Sequence, residues 1–180
     1  FKMNRLLVAN WKMNPDTLQE AKDLFQASSE AIVCPPFVYL EELAKIKSGA
    51  VLGAQDISLS DEPSQTGEVS GEMLKQFGVK YVIIGHSDRR WKLGESDETV
   101  NRKIKLALSH GLVPIVCIGE RSREPGFEDF LKKQVLATFA GLLSSEQAEK
   151  CLVVYEPVWA ISTTPGAKPD TPESALESIG

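Results

Sequence analysis

Six short runs of β-branched and aliphatic residues recur along the chain, at Arg5 to Ala9, Ala31 to Cys34, Ala50 to Ala54, Tyr81 to Gly85, Val113 to Ile118 and Leu152 to Tyr155. They are apolar on both faces instead of alternating, which suits parallel strands covered by other structure and not a solvated antiparallel sheet. Helices are therefore expected between them, and the connecting segments carry the signals for them. Asn14-Pro15 predicts a helix through about Ser28, Val38 to about Ser48 closes on Gly49, and Ser70 to Phe77 ends at Gly78. Ser96 caps a helix that runs to His110 and stops at Gly111, and Phe127 to Leu143 supplies the next. Ser144 to Lys150 reads as a short turn, and Thr171-Pro172-Glu173 opens a further helix.

Strict alternation of strand and helix favours right-handed crossovers and an α/β fold with a parallel sheet, either open and doubly wound or closed into a barrel. With 180 residues, 42% of them hydrophobic, the chain has material for one domain with a buried core, residues 1–180. The net charge of −5 comes without any long block of one sign, which argues against nucleic acid as a partner. Cys34, Cys117 and Cys151 lie in or beside apolar runs and read as reduced core thiols. No apolar stretch reaches the roughly 18 residues of a membrane span, and no secretory leader opens the chain, so a soluble cytoplasmic protein is expected.

Polar and special residues gather just after the strands, at Asn10-Trp11-Lys12, Gly85-His86-Ser87-Asp88 and Glu156-Pro157-Val158-Trp159. In a barrel all strand C-termini open on one face, where these segments would converge. An open sheet would favour a crevice at one switch point, and no GxGxxG follows the first strand. The barrel is preferred.

Each segment carries a candidate. Lys12 can present a fixed positive charge to an anionic ligand, although a lysine alone fits an ordinary surface position as well. His86 precedes a segment able to open a short helix, whose N-terminal dipole disfavours an imidazolium, so a neutral ring could polarise a carbonyl; a hydrogen-bonded structural histidine is the plainer alternative. Glu156 is expected beside Pro157 and Trp159, apolar surroundings that raise a carboxylate's pKa toward a general base's range, against the alternative of a solvated strand end. Their shared position after strands outweighs the three separate alternatives. His110, before Gly111, is explained by helix capping and is given no chemistry.

The chain resembles the triosephosphate isomerase family in Ala9-Asn10-Trp11-Lys12-Met13-Asn14, Ile83-Ile84-Gly85-His86-Ser87-Asp88-Arg89-Arg90 and Val154-Tyr155-Glu156-Pro157-Val158-Trp159-Ala160-Ile161, in the family's order. Cys34-Pro35-Pro36-Phe37, Gly53-Ala54-Gln55, Thr66-Gly67-Glu68-Val69-Ser70 and Cys117-Ile118-Gly119-Glu120 add to it, from about Arg5 to the last residue. The resemblance implies a TIM (β/α)8 barrel that interconverts dihydroxyacetone phosphate and glyceraldehyde 3-phosphate in glycolysis and gluconeogenesis, with no metal and no organic cofactor. It implies Glu156 as base, neutral His86 as the group that stabilises and reprotonates an enediolate, and Lys12 with Asn10 as holders of the charged intermediate. Ser87 is implied to contact the base, Asp88 to stand where the family usually has Glu, and Cys117 to support the site.

The segment after Glu156 resembles the family's closing lid, which excludes water. Ser162-Thr163-Thr164 stands where the family usually has Gly-Thr-Gly, which removes backbone freedom while leaving the Ser162 N–H available to phosphate. Gln55 to Glu72 resembles the long loop through which subunits of the family complete each other's sites, with Thr66 at its tip and Gln55 and Glu68 in its pattern. A homodimer is implied. A barrel of this type takes about 250 residues, so a chain with six strands is expected to lack the last two β/α units, to leave two strand edges open, and to have little or no activity unaided.

Overall fold

The computed structural model describes residues 5–142, 146–161 and 166–179. Six parallel strands alternate with helices: β1 (Leu7–Asn10), β2 (Ser29–Cys34), β3 (Gly49–Ala54), β4 (Tyr81–Ile84), β5 (Val113–Ile118) and β6 (Leu152–Tyr155). Their order in the sheet is their order in the chain. This is how a (β/α) barrel is laid down, whereas a doubly wound sheet reverses direction at a switch point. The fold is α/β, that of an incomplete TIM barrel. β1 pairs with β2 from Leu7↔Ala31 to Asn10↔Cys34, and β5 pairs with β6 from Ile115↔Leu152 to Ile118↔Tyr155.

Contacts gather the chain into two compact units, residues up to 83 with 105–114, and 84–104 with 115 onward. In the first, α1 (Leu18–Ala27) and α2 (Leu40–Leu43) bury Ala21, Phe25, Leu40 and Leu43 beside the buried Ile32, Val33, Leu52 and Ala54 of the sheet. In the second, Val100 and Ile104 of α5 (Asp97–Ser109) and Leu131 of α6 (Phe127–Thr138) are buried, as are Ile115, Val116 and Ile118 of β5. Burying side chains of this size contributes roughly 1.5–3 kcal/mol each.

Several helices begin where their polar residues predict. Ser70 caps α3 (Gly71–Gln76) by accepting from the Met73 N–H at 3.2 Å, Ser96 accepts from the Thr99 N–H, and Thr171 Oγ1 accepts from the Ser174 N–H at the start of α7 (Pro172–Ile179). Other boundaries differ. α1 starts at Leu18 instead of at Asn14-Pro15, because Thr17 accepts from the Glu20 N–H while its hydroxyl donates to the Glu20 carboxylate, a reciprocal cap that Asn14 lacks. The helix expected from Val38 to Ser48 is a 3-10 turn at Phe37–Tyr39 followed by the single turn of α2. α6 ends at Thr138 instead of Leu143, where buried Asn101 donates to the orphan carbonyls of Thr138 and Ala140. The Ser144 to Lys150 turn contains a 3-10 segment at Ala148–Lys150, and its first two residues lie outside the described ones.

Cys34 and Cys117 are buried and free, and burial pushes the Cys34 thiol up to about 12. Cys151 is only half-buried, which corrects the expectation that all three are core thiols. Nor are all strands covered on both faces: Leu7 of β1 and Val153 of β6 are 65% and 59% exposed. No helix among the described residues is long and apolar enough to cross a membrane.

Candidate active site

Within the first unit, the predicted residues Asn10, Lys12 and Gln55 meet just beyond the ends of β1 and β3. Asn10 Oδ1 accepts from the Lys12 N–H at 3.0 Å, and the Gln55 amide donates to the carbonyls of Lys12 at 2.8 Å and of Cys34 at 2.9 Å. Lys12 takes a left-handed backbone, φ 53°, which costs a non-glycine residue roughly 1–2 kcal/mol. Two side chains hold it there. The Lys12 backbone is thereby fixed at both its N–H and its carbonyl.

Within the second unit, Gly85 follows the end of β4 and leads to His86 at the start of α4 (Ser87–Lys92). His86 Nδ1 accepts from the Asp88 N–H at 3.1 Å, so the ring carries its proton on Nε2. That nitrogen lies 2.9 Å from Glu156 Oε1. Glu156 follows β6 and also accepts from the Ser87 N–H at 3.0 Å and the Ser87 hydroxyl at 3.1 Å. His86 and Ser87 thus share one carboxylate, which lies 69 positions beyond Ser87. Asp88 pairs with Lys92 at 2.6 Å and has Oδ2 3.4 Å from His86 Nδ1.

The carboxyl of Glu156 is shifted down, not up as its neighbours in sequence suggest. Burial is the largest single influence and pushes it up, but the hydrogen bond and electrostatic pull of the His86 ring, with the two bonds from Ser87, outweigh it. The donors, His86 and Ser87, come from the start of α4, far away in sequence.

Three residues that sequence reasoning passed over build this arrangement. Arg90 is buried, and its guanidinium donates to the carbonyls of Gly85 at 2.8 Å and Cys117 at 3.3 Å while pairing with Asp97, which ties the His86 turn to β5. Cys117 thus meets this cluster through its carbonyl. Gly119, after β5, leaves no room for a side chain: a Cβ there would sit 1.9 Å from the carbonyl oxygen of Glu156. Glu120, 2% exposed, accepts from the Tyr155 hydroxyl and the Trp159 indole, both at 2.8 Å, and so braces the residues on either side of Glu156. Gly119 and Glu120 stand in one matched motif, and the Gly85 to Arg90 spacing was the available sign of the third.

Other predicted residues stand apart from this cluster. Thr66 and Glu68 are exposed on the loop after β3, whose base is closed by the Ser58 N–H donating to the Val69 carbonyl at 2.9 Å. Ser162 lies outside the described residues. His110 does not cap α5 with its side chain; its Nε2 lies 2.9 Å from Asp61 on that same loop, and its ring occupies the space left by Gly71. The described residues hold no cluster of three or more His, Cys, Asp or Glu able to bind a metal.

The profile of the triosephosphate isomerase family matches residues 5–180. Triosephosphate isomerase of Clostridium botulinum strain Loch Maree is 41% identical over 97% of this chain and 74% of its own length. The enzymes of that name from Azoarcus sp. strain BH72 and Alkaliphilus oremlandii are 40% and 39% identical, over 74% and 75% of their lengths. With a profile match along almost its whole length and relatives at this identity, the chain belongs to the triosephosphate isomerase family.

Proposed function

We propose that the chain carries the proton-transfer machinery of an aldose–ketose isomerase that interconverts dihydroxyacetone phosphate and glyceraldehyde 3-phosphate, a glycolytic and gluconeogenic step in the cytoplasm. The observation that carries this reading is the carboxylate of Glu156, half-buried, ionised and 2.9 Å from a histidine nitrogen that bears a proton. A glutamate base with a neutral histidine is the established arrangement of this family and is carried over from it. Glu156 removes the proton next to the substrate carbonyl and delivers it to the adjacent carbon, while His86 Nε2–H stabilises the enediolate, reprotonates one of its oxygens and takes back the hydroxyl proton of the other. Asn10 and Lys12 hold the anionic intermediate, and the backbone of Ser162 meets phosphate.

The resting bonds from Ser87 and His86 keep Glu156 a weak base. When substrate displaces them, burial acts alone and makes the carboxylate a stronger one. In this reading the domain is a single barrel, its loop from Gln55 to Glu72 pairs with a second subunit around Thr66 and Glu68, and Ser87, Asp88 and Cys117 support the site.

Steady-state isomerase assays test the reading, on the chain alone and mixed with a polypeptide that supplies two further β/α units. Glu156→Asp withdraws the carboxylate by about one methylene and should lower kcat about 100-fold while binding of a phosphorylated inhibitor barely changes. Equal losses in both would sink the assignment of the base.

A second reading has the chain as an inactive assembly module that pairs through its strand edges. The exposed apolar side chains Leu6 and Leu7 at β1, and Val153 and Val154 on β6, favour it. Absence of turnover in both assays would support this reading.

A further inference from the structure

Arg123, in the loop between β5 and α6, gathers both ends of the segment that follows Glu156. One terminal nitrogen of its guanidinium donates to the Tyr155 hydroxyl at 3.3 Å, just before Glu156, and to the Ser174 carbonyl, Ser174 hydroxyl and Ser178 hydroxyl at 3.1, 3.0 and 2.6 Å on α7. The guanidinium also covers the rings of Phe127 and Trp159, at 4.6 and 5.5 Å from their centroids. It therefore touches residue 155, residue 159 and the start of the helix at 172 together.

Buried polar groups left without a hydrogen bond are rare and call for an explanation. Among the described residues, Arg123 Nε, Glu120 Oε2 and Asp170 Oδ2 are three of them. They are near neighbours that miss. Arg123 Nε is 3.2 Å from Glu120 Oε1 without hydrogen-bond alignment, and its terminal nitrogen is 4.0 Å from Asp170 Oδ2. A shift of about one ångström would turn the Asp170 contact into a charge-assisted bond.

We propose that Arg123 is a positioning residue: it fixes the strand end that bears Glu156 by clasping Tyr155 and Trp159 on one side and Asp170, Ser174 and Ser178 on the other. This rests on the reading of Glu156 as the base. The guanidinium acts through Glu120, whose one engaged oxygen already braces Tyr155 and Trp159 at 2.8 Å. Lysine would keep the charge without the planar fork that reaches several acceptors and lies flat on two rings.

Two reporters in the 15N-labelled chain decide the matter. They are the Trp159 indole N–H, assigned with Trp159→Phe, and the Ser87 amide, which donates to Glu156. Arg123→Met should speed exchange of the indole proton about tenfold and move the Ser87 amide resonance, with Arg123→Lys between it and the wild type. Indole exchange within about twofold of wild type, or an unmoved Ser87 amide, overturns the proposal. If Arg123→Met does not fold, the double variant Ser174→Ala and Ser178→Ala removes the two hydroxyl acceptors on α7 and is judged by the same two signals. Where turnover is measurable, kcat should fall about tenfold with KM within about twofold. A wild-type chain without turnover both alone and mixed with the two further β/α units counts against the isomerase reading and leaves the two resonances to decide the clasp.

Discussion

A single carboxylate that collects three donors ties the chemistry of Glu156 to the stability of the fold. Its pKa lies below the ordinary 4.5, so folding favours the ionised form. The stability this contributes is present above the ordinary value and is lost as pH falls through the lowered one. Ser87→Ala removes the hydroxyl bond at 3.1 Å and should shift the Glu156 titration upward. The stability difference between wild type and variant should be largest near neutral pH, about 1.5–3 kcal/mol for one hydrogen bond to a charged group, and should shrink below the lowered pKa. Urea unfolding midpoints from pH 3 to 7 measure it, and a difference that stays constant over that range would contradict the linkage. In the reading of Glu156 as the base, the same donors keep it ionised and idle until a ligand replaces them.

At the scale of elements, β5 and β6 meet so closely that one missing side chain sets the position of Glu156. Gly119 N–H donates to the buried Gln134 side chain at 2.9 Å, Glu156 N–H donates to the Ile118 carbonyl at 2.7 Å, and Val158 N–H donates to the Glu120 carbonyl at 2.9 Å. Gly119→Ala would thrust a Cβ against the Glu156 backbone, which cannot swing aside as a flexible side chain does. The variant should lose about 1–3 kcal/mol in stability and, where turnover is measurable, at least about tenfold in kcat; thermal melts and steady-state assays together check it, and an unchanged melt would show that the strands part freely. Reading such features from sequence has a clear limit. Strand runs, the caps at Ser70 and Ser96, and the helix opening at Thr171 were legible because local spacing determines them. The start of α1 was misplaced because Thr17 and Glu20 cap each other better than Asn14 and Pro15 do. The pKa direction of Glu156, the crowding at Gly119 and the reach of Arg123 depend on residues distant in sequence, which periodicity does not bring together.

For the whole molecule, the ends of the strand order matter most. β1 and β6 each have one neighbour in the sheet order, and each presents large apolar side chains to solvent, Leu7 at 65% and Val153 at 59% exposure. A parallel strand rich in Val and Leu is built to be covered on both faces. An uncovered edge of this kind offers unpaired N–H and C=O groups beside an apolar surface, and such edges recruit another strand. The chain, 19.8 kDa, should therefore associate with itself, its mass by light scattering rising with concentration. Lysine is the usual guard of an edge, since a second strand would have to bury its charge. The double variant Leu7→Lys and Val153→Lys places one on each outer strand, where both side chains are exposed and the cost to each unit's own core is small. It should hold the mass near that of one chain at concentrations where the wild type associates. If the double variant associates as strongly as the wild type, the strand edges are not the contact. Association would then have to run through another surface, of which the exposed loop carrying Thr66 and Glu68 is the first to test by substitution.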